Sequence, residues 1–166
     1  MHASAARFAE RAREEYGFEA EIEEFPEGTK TAVDAAEAVG CSVGQIVKSI
    51  VLVAEDGVAE ADDDGCDVVV VLTAGDNRVD TEALASELGA ETVRTANPEE
   101  VKDATGWSIG GVPPFCHERS VPTYLDESLR THDRIWAAAG TPDAVFELSP
   151  DDLRRIADPE PTAAFE

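Results

Sequence analysis

Lysine is almost absent from this sequence, which places only Lys30, Lys48 and Lys102 among its 166 residues. Acidic residues are abundant instead: 36 Asp and Glu stand against 13 Lys and Arg, for a net charge of −23. This composition is typical of a protein adapted to concentrated salt, because a Debye length of about 3 Å at 1 M ionic strength screens self-repulsion. The charge argues against nucleic acid held by basic patches, but in strong brine recognition through short contacts stays open.

Other scarce features exclude several classes of protein. The three cysteines, Cys41, Cys66 and Cys116, are an odd number without a CxxC pair, so a disulfide framework or a zinc site has little support. The acidic run at 62–64 lacks metal-ligand spacing. No stretch approaches the ~20 apolar residues of a membrane helix, and the N-terminus lacks the apolar core of a signal peptide. We therefore expect a cytoplasmic protein without a metal, a cofactor or a membrane partner.

Helix and strand patterns alternate along the chain. Apolar residues at helical spacing predict a helix over 3–16 that ends at Gly17, and Asn97 with Glu100 predicts a capping box for a later helix. Two β-branched runs, SIVLVAEDG and DVVVVLTAG, predict a hairpin that is apolar on both faces and therefore central in its sheet. Further helices are predicted in TKTAVDAAEAVG, DTEALASELG, NPEEVKDATG and SPDDLRRIA, and further strands in FEAEIEEF, ETVRTA, VPTYLD, DRIWAAAG and AVFELS.

These elements define the fold class. Strands outnumber helices and several are consecutive, which favours an α+β protein with a mixed, largely antiparallel sheet. The length fits a single domain over 1–166. We expect the tail DPEPTAAFE, residues 158–166, to be frayed.

Lys48 lies in the most apolar run of the chain, GQIVKSIVLV. If the strand begins near Val47, Lys48 shares a face with Ile50 and Leu52. The run alone favours a side-chain stem packed on apolar surface with its ammonium reaching solvent at the strand end. The alternative is an ammonium held at a pocket rim, where it binds a carbonyl, carboxylate or phosphate oxygen.

The segment TGWSIGGVPPFCHE, residues 105–118, is rich in glycine and proline. Gly110 and Gly111 permit backbone conformations closed to other residues and a close approach to a ligand. If their amides are unpaired and face one point, they form an anion or oxyanion nest. An ordinary tight turn explains the same composition.

Two reactive side chains lie near the end of that segment. His117 is either a satisfied surface histidine or a general base or substrate hydrogen-bond partner. Cys116 suggests a nucleophile, but neighbours in an extended segment point to opposite sides, so the pair is not expected to form a dyad.

Three segments, taken in order, resemble the YbaK-type editing domains associated with prolyl-tRNA synthetase: TAVDAAEAVGCSVGQIVKSIVLV, RVDTEALASELGAETVRTANPEEVKDATGWSIGGVPPFCH and YLDESLRTHDRIWAAAGTPDAVFELSPDDLRRI. The resemblance covers roughly residues 20–157. Its most specific marks are Lys48 within the Gln45-Ile46-Val47-Lys48-Ser49 run and the G-x-x-x-P loop from Gly110 to Pro114. An Ala-Gly-Thr-Pro run at 139–142 supports it.

The resemblance implies a sheet curled into a barrel-like core with surrounding helices. It also implies a free-standing aminoacyl-tRNA deacylase that hydrolyses the ester at the 3′ adenosine of mischarged tRNA, with an aminoacyl-tRNA synthetase as a further partner. Water, or a hydroxyl or thiol of the substrate, is the implied attacking group, so no enzyme nucleophile is required. The implied catalytic residues are Lys48, Gly110 and Gly111, and the implied substrate-binding residues are Thr31, Ser49, Val112, Pro114, His117 and Ala138.

Within this family pattern, a lysine retained by a chain that avoids lysine favours electrostatic positioning of the ester by Lys48. Two departures keep other functions open. Many members carry glycine where this chain has Cys116, and members that act on cysteinyl-tRNA(Pro) carry serine where it has Ala138. The alternatives are a non-catalytic module that binds an aminoacyl-like ligand or a protein partner, and a thiol hydrolase that uses Cys116.

Overall fold

The computed structural model describes residues 3–25, 31–55 and 66–166, and none of the helices in these ranges is long and apolar enough to cross a membrane. The α-helices are α1 Ala3–Tyr16, α2 Ala32–Val39, α3 Thr81–Leu88, α4 Pro98–Thr105 and α5 Pro150–Ala157. The strands are β1 Ile22–Glu24, β2 Ile46–Glu55, β3 Cys66–Ala74, β4 Thr92–Thr95, β5 Thr123–Asp126, β6 Ile135–Ala138, β7 Ala144–Leu148 and β8 Glu160–Thr162. Short 3-10 helices cover Val43–Gln45 and Glu127–Thr131.

The predicted helix boundaries are confirmed by their capping interactions. Asn97 Oδ1 accepts a hydrogen bond from the Glu100 N–H at 2.8 Å, and Glu100 Oε1 accepts one from the Asn97 N–H at 2.9 Å. Gly17 follows α1 and Gly40 follows α2, both in the left-handed conformation that favours glycine. Every predicted helix and strand is present, although β1 is shorter than the segment that predicted it.

The strands form one mixed sheet in the order β1-β7-β6-β2-β3-β5-β8, with β4 also paired to β2. The pairs β1–β7, β2–β3, β2–β4 and β6–β7 are antiparallel, whereas β2–β6, β3–β5 and β5–β8 are parallel. The prediction of an α+β class with a mixed sheet is confirmed. Within the described ranges β1 and β8 end the ladder, so the barrel-like curl stays a prediction.

The hairpin of β2 and β3 lies at the centre of the sheet, as its apolar faces predicted. Side chains alternate between two apolar clusters, one on each face. One cluster includes Val51, Val53, Val70 and Leu72, and the other includes Leu52, Ala54, Val69 and Val71. The predicted solvated hairpin loop, 56–65, lies outside the described residues.

Helix α1 closes the first cluster with an aromatic group. Phe8 is fully buried, and its ring centroid lies 4.8 Å from that of Phe146 and 5.6 Å from that of Phe115. The Arg7 guanidinium lies 4.0 Å from the ring centroid of Trp107. Because Trp107 and Phe115 flank the glycine–proline loop, α1 holds both ends of that loop against the core.

The tail at 158–166 is ordered, so the prediction of fraying is wrong. Strand β8 pairs with β5, and Ala164 is buried. The Ala164 carbonyl accepts a hydrogen bond from the Asp80 N–H at 2.7 Å, and the Glu166 N–H donates to the Arg78 carbonyl at 2.9 Å. The tail covers the backbone edge of β5. Because this partner is distant in the sequence, the composition of the tail does not reveal it.

Candidate active site

The candidate site lies where one edge of β2 is uncovered. On that side β6 pairs with β2 only at Ile46 and Val47, and β4 pairs with it from Leu52 onward. Residues 48–50 pair with β3 on the opposite side, but neither ladder reaches them on this one. The interruption opens into a cavity of about 530 Å³, a size typical of small-molecule sites.

Several distant parts of the chain meet in this cavity. Its walls come from β2, the start of α2, the turn after β3, the end of β4, helix α4, the loop after α4, the end of β6 and the start of β7. Six of the nine predicted site residues line it: Thr31, Lys48, Ser49, Gly110, Val112 and Ala138. Within the described part of the chain, Lys48 is the only charged side chain in the lining.

The Lys48 amine is held in a defined position. Its side chain is half-buried, and Nζ donates a hydrogen bond to the Asn77 carbonyl at 3.0 Å. An ammonium carries three N–H donors, and hydrogen bonds to the described residues use one of them. Burial lowers the pKa of the amine, and Arg78 lowers it further, while Asp76 and Asp126 oppose both effects. Any anion or carbonyl oxygen that entered the cavity would favour the charged form.

Ser49 adds polar groups to the uncovered edge. Its Oγ is buried and has no hydrogen-bond partner among the described residues. The Ala96 N–H donates to the Val51 carbonyl at 3.0 Å on this side of β2. Because every second residue of an antiparallel strand directs its N–H and C=O to the same side, the Ser49 backbone also faces the gap.

The glycine–proline loop contributes one glycine to the cavity. Gly110 lines it with φ of 86°, whereas the Gly111 N–H donates to the Ser108 carbonyl at 3.0 Å. A Cβ on Gly111 would lie 2.6 Å from the Thr141 Cα. The two glycine amides therefore do not face one point: Gly111 closes the turn of the loop and allows it to pack closely on Thr141.

Pro114 and His117 do not reach this cavity. Both line a second cavity of about 300 Å³. The His117 Nε2–H donates to the Pro113 carbonyl at 2.8 Å, and burial lowers the pKa of the imidazole. His117 is therefore held within its own loop and does not line the Lys48 cavity, although the resemblance implied that it binds the substrate.

Cys116 is unsuited to nucleophilic attack in this structure. Its side chain is 2% exposed, and it lines the second cavity. Burial raises the pKa of the thiol to about 12, so the thiol is protonated near neutral pH. The residue has φ of 67°, a left-handed conformation that explains why glycine suits this position.

The sequence did not identify two apolar side chains at the cavity. Val33 on α2 and Ile109 in the glycine–proline loop line it, and each is 50% exposed. Asn77 was missed as well, because it binds the lysine through its backbone carbonyl, and any residue type supplies a carbonyl. Across 3–25, 31–55 and 66–166, no three His, Cys, Asp or Glu side chains cluster as a metal site requires.

Comparison with known proteins adds a family. Residues 26–156 match the model of the aminoacyl-tRNA editing domain. The chain is 33% identical to the multifunctional Ser/Thr-tRNA deacylase ProXp-y of Escherichia coli K12, over 80% of this chain and 78% of that protein. It is 32% identical to the uncharacterized protein YwhH of Bacillus subtilis, over 81% of this chain and 80% of that one.

Larger proteins and a solved structure also match. The proline–tRNA ligase of Shouchella clausii is 34% identical over 66% of this chain, which spans 18% of that enzyme. A crystal structure of a candidate trans-editing enzyme for prolyl-tRNA synthetase has a TM-score of 0.86 and 38% identity. The match covers 100% of this chain and 99% of that one.

Proposed function

Because the chain belongs to the aminoacyl-tRNA editing domain family, we propose that it is a free-standing aminoacyl-tRNA deacylase that hydrolyses the ester of mischarged tRNA. Relatives of similar length, one of them named a deacylase, support the free-standing form. The observation that carries the proposal is the position of Lys48, the one charged residue among the described residues that line the cavity. Cytoplasmic tRNA is the proposed substrate pool, and the match to proline–tRNA ligases supports a synthetase as partner.

The steps of ester hydrolysis define which groups the cavity must supply. An oxygen or sulfur nucleophile, from water or from the substrate, gives up its proton and bonds to the carbonyl carbon, and negative charge develops on the carbonyl oxygen. The bond to the ribose oxygen then breaks, and that oxygen takes up the proton. Attack by water releases the free amino acid, whereas attack by a group of the substrate releases a cyclic ester or thioester that water then opens. Lys48 would place its positive charge at the developing oxyanion, where a preorganised cation acts strongly in a low-dielectric site. The Gly110 backbone and the Ser49 hydroxyl would hold the aminoacyl group beside it.

The mouth of the cavity suits the 3′ end of tRNA. Val33 and Ile109 expose half of their apolar side chains there. The faces of a terminal adenine and its ribose would cover this surface, which water otherwise contacts. Contacts of this kind need no basic patch, in keeping with a chain of net charge −23.

The cavity walls would select the amino acid by size. Val112 and Ala138 present aliphatic groups, and Ala138 offers no hydroxyl for a polar side chain of the substrate. A methylene more or less in an apolar pocket changes binding by only ~1–3 kcal/mol, which is why a synthetase gains from a second, separate editing site.

The proposal is tested with a panel of mischarged tRNAs in high salt. We expect Lys48→Ala to slow deacylation by about 10²–10³-fold, the usual effect of removing one oxyanion donor. Lys102→Ala is the matched control, because Lys102 is exposed on α4 and does not line the cavity. A Lys48→Ala protein with the wild-type rate would contradict the role of Lys48. Saturable binding without release of any amino acid would favour the non-catalytic binding module.

A further inference from the structure

The turn after β3 carries the carbonyl that binds Lys48. The Asn77 N–H donates to the Ala74 carbonyl at 2.9 Å, which closes the turn, and the Gly75 N–H donates to the Ile46 carbonyl at 2.8 Å, which joins it to β2. The Asn77 carbonyl then accepts the hydrogen bond from Lys48 Nζ at 3.0 Å. The position of the amine therefore depends on the conformation of this turn.

One buried carboxylate ties the turn down. Asp126, at the end of β5, is 3% exposed, and its Oδ2 accepts from the Asn77 Nδ2–H at 2.8 Å and from the Ala74 N–H at 3.0 Å. Its Oδ1 accepts from the Ser128 N–H at 3.0 Å and from the Ser128 hydroxyl at 2.7 Å. Burial alone would raise the pKa of this carboxyl, but these hydrogen bonds outweigh it and hold the pKa below its usual value.

The chemistry of the position requires an acid. Asp126 accepts from four donors and forms no ion pair with any described residue. An ionised carboxylate offers acceptors alone, whereas a carboxamide would direct its NH₂ at two of these donors. Because a buried carboxylate is tolerated only when its oxygens are hydrogen-bonded, the charge of Asp126 depends on these donors, and two of them, the Asn77 side chain and the Ala74 N–H, belong to the turn.

We propose that Asp126 and Asn77 are positioning residues for Lys48: the carboxylate fixes the turn through the Asn77 side chain, and the Asn77 carbonyl fixes the amine. This inference rests on the proposed deacylase function. A lysine side chain has four rotatable bonds, and holding it in one conformation before the substrate arrives lowers the entropy lost in the reaction. Arg78, Asp76 and Asp126 are the described charged groups that act on the amine. Asp76 and Arg78 flank Asn77 in the chain, whereas Asp126 holds the turn through its hydrogen bond to the Asn77 side chain.

The first test measures the amine directly and needs no substrate. Trace acetylation with isotopically labelled acetic anhydride, read by mass spectrometry, compares Lys48 with the exposed Lys102 in the same sample. Asn77→Ala keeps the backbone carbonyl but removes the side-chain bond to Asp126, so the turn is freed and its hydrogen bond to the amine is weakened. We expect the relative rate at Lys48 to rise roughly tenfold, because that bond both retains the proton and restrains the amine. Asn97→Ala, the same substitution at the α4 cap, is the matched control and should leave that rate unchanged.

The second test measures catalysis in a double-mutant cycle. Asn77→Ala should lower kcat roughly tenfold with little change in KM. The same substitution in a Lys48→Ala background should cost nothing further, because a residue that acts only through Lys48 has no effect without it. A general weakening of the fold would instead lower kcat in both the wild-type and the Lys48→Ala backgrounds, and also in the Asn97→Ala control.

Two outcomes would overturn the inference: a Lys48 acetylation rate in Asn77→Ala equal to that of the wild type, or losses that add in the double-mutant cycle. If Asp126→Asn folds, the same two measurements on it test the carboxylate directly. If it does not fold, the measurements on Asn77→Ala alone test the inference. A wild-type protein that deacylates no tRNA in the panel would refute the proposed function, whereas the acetylation rates would still decide whether the turn positions the amine.

Discussion

At the residue scale, Lys48 is the one charged residue among the described residues that line a mostly apolar cavity. Burial lowers the pKa of its amine, and the amine donates a hydrogen bond to the neutral Asn77 carbonyl. A compact ammonium can approach a single ester oxygen in such a space, whereas the wide guanidinium fork of arginine needs several acceptors. Under the proposed function, this would account for a lysine here in a chain that uses arginine for most of its positive charge.

The thiol at position 116 leads to a second residue-scale prediction. Cys116→Gly should leave the deacylation rate within about twofold, because the thiol does not line the Lys48 cavity. Glycine adopts the φ of 67° without strain, which should stabilise the fold, whereas removal of the buried Cys116 side chain should destabilise it. Because the two effects oppose each other, the free energy of unfolding should change by no more than about 1 kcal/mol. Initial rates and thermal unfolding check both statements. A rate loss above tenfold with an unchanged Tm would instead support the thiol hydrolase.

At the scale of elements, the site depends on two strands that stop short. β6 ends its pairing with β2 at Val47, and β4 begins its own at Leu52. An uncovered strand edge is normally an aggregation hazard, and here it opens into a cavity instead of onto the surface. At the far edge of the sheet, β8 is three residues long and contains Pro161, and both features discourage further pairing.

The ordered tail gives a prediction at the same scale. A variant that ends at Asp158 loses strand β8, the burial of Ala164 and the hydrogen bonds to Asp80 and Arg78. We expect the free energy of unfolding to fall by about 2–4 kcal/mol, from lost apolar burial and a few net hydrogen bonds. Urea unfolding of the full and shortened chains measures this difference. Equal stabilities would mean that the tail contributes as little as a frayed end.

At the scale of the whole molecule, the acidic excess dominates. Several arginines pair with nearby carboxylates, as Arg94 does with Glu55 and Glu100, but 13 basic residues cannot neutralise 36 acidic ones. Exposed ion pairs contribute little each, so self-repulsion is the larger effect in dilute buffer. The stability of this protein should therefore depend on the salt around it.

Salt dependence is the corresponding prediction. Between about 0.1 M and 1 M KCl the Debye length falls from about 10 Å to about 3 Å, which screens repulsion between surface carboxylates. We expect Tm to rise continuously over this range and deacylation to persist at the upper end. Calorimetry at several salt concentrations checks the first statement, and the tRNA panel checks the second. A Tm that stays constant or falls would contradict the interpretation of the acidic surface as an adaptation to salt.

The sequence by itself determined the secondary structure and the family. The capping box at Asn97, the glycines that end helices and the two β-branched runs each depend on residues close together in the sequence. The sequence alone therefore predicted them. The order of three segments, marked by the Lys48 run, the glycine–proline loop and the Ala-Gly-Thr-Pro run at 139–142, indicated an editing domain before any contact was known. The tail was predicted wrongly because its order depends on β5 and on the start of α3.

Only the tertiary structure decided what meets at the cavity. It placed Gly110 in the lining and turned Gly111 and His117 away, although all three belong to one short loop. It also joined Lys48 to Asn77 and Asn77 to Asp126, which no local pattern connects. The physical reason is that strand pairing is long-range: the gap between β6 and β4 exists only once both have paired with β2, and that gap determines which residues line the cavity.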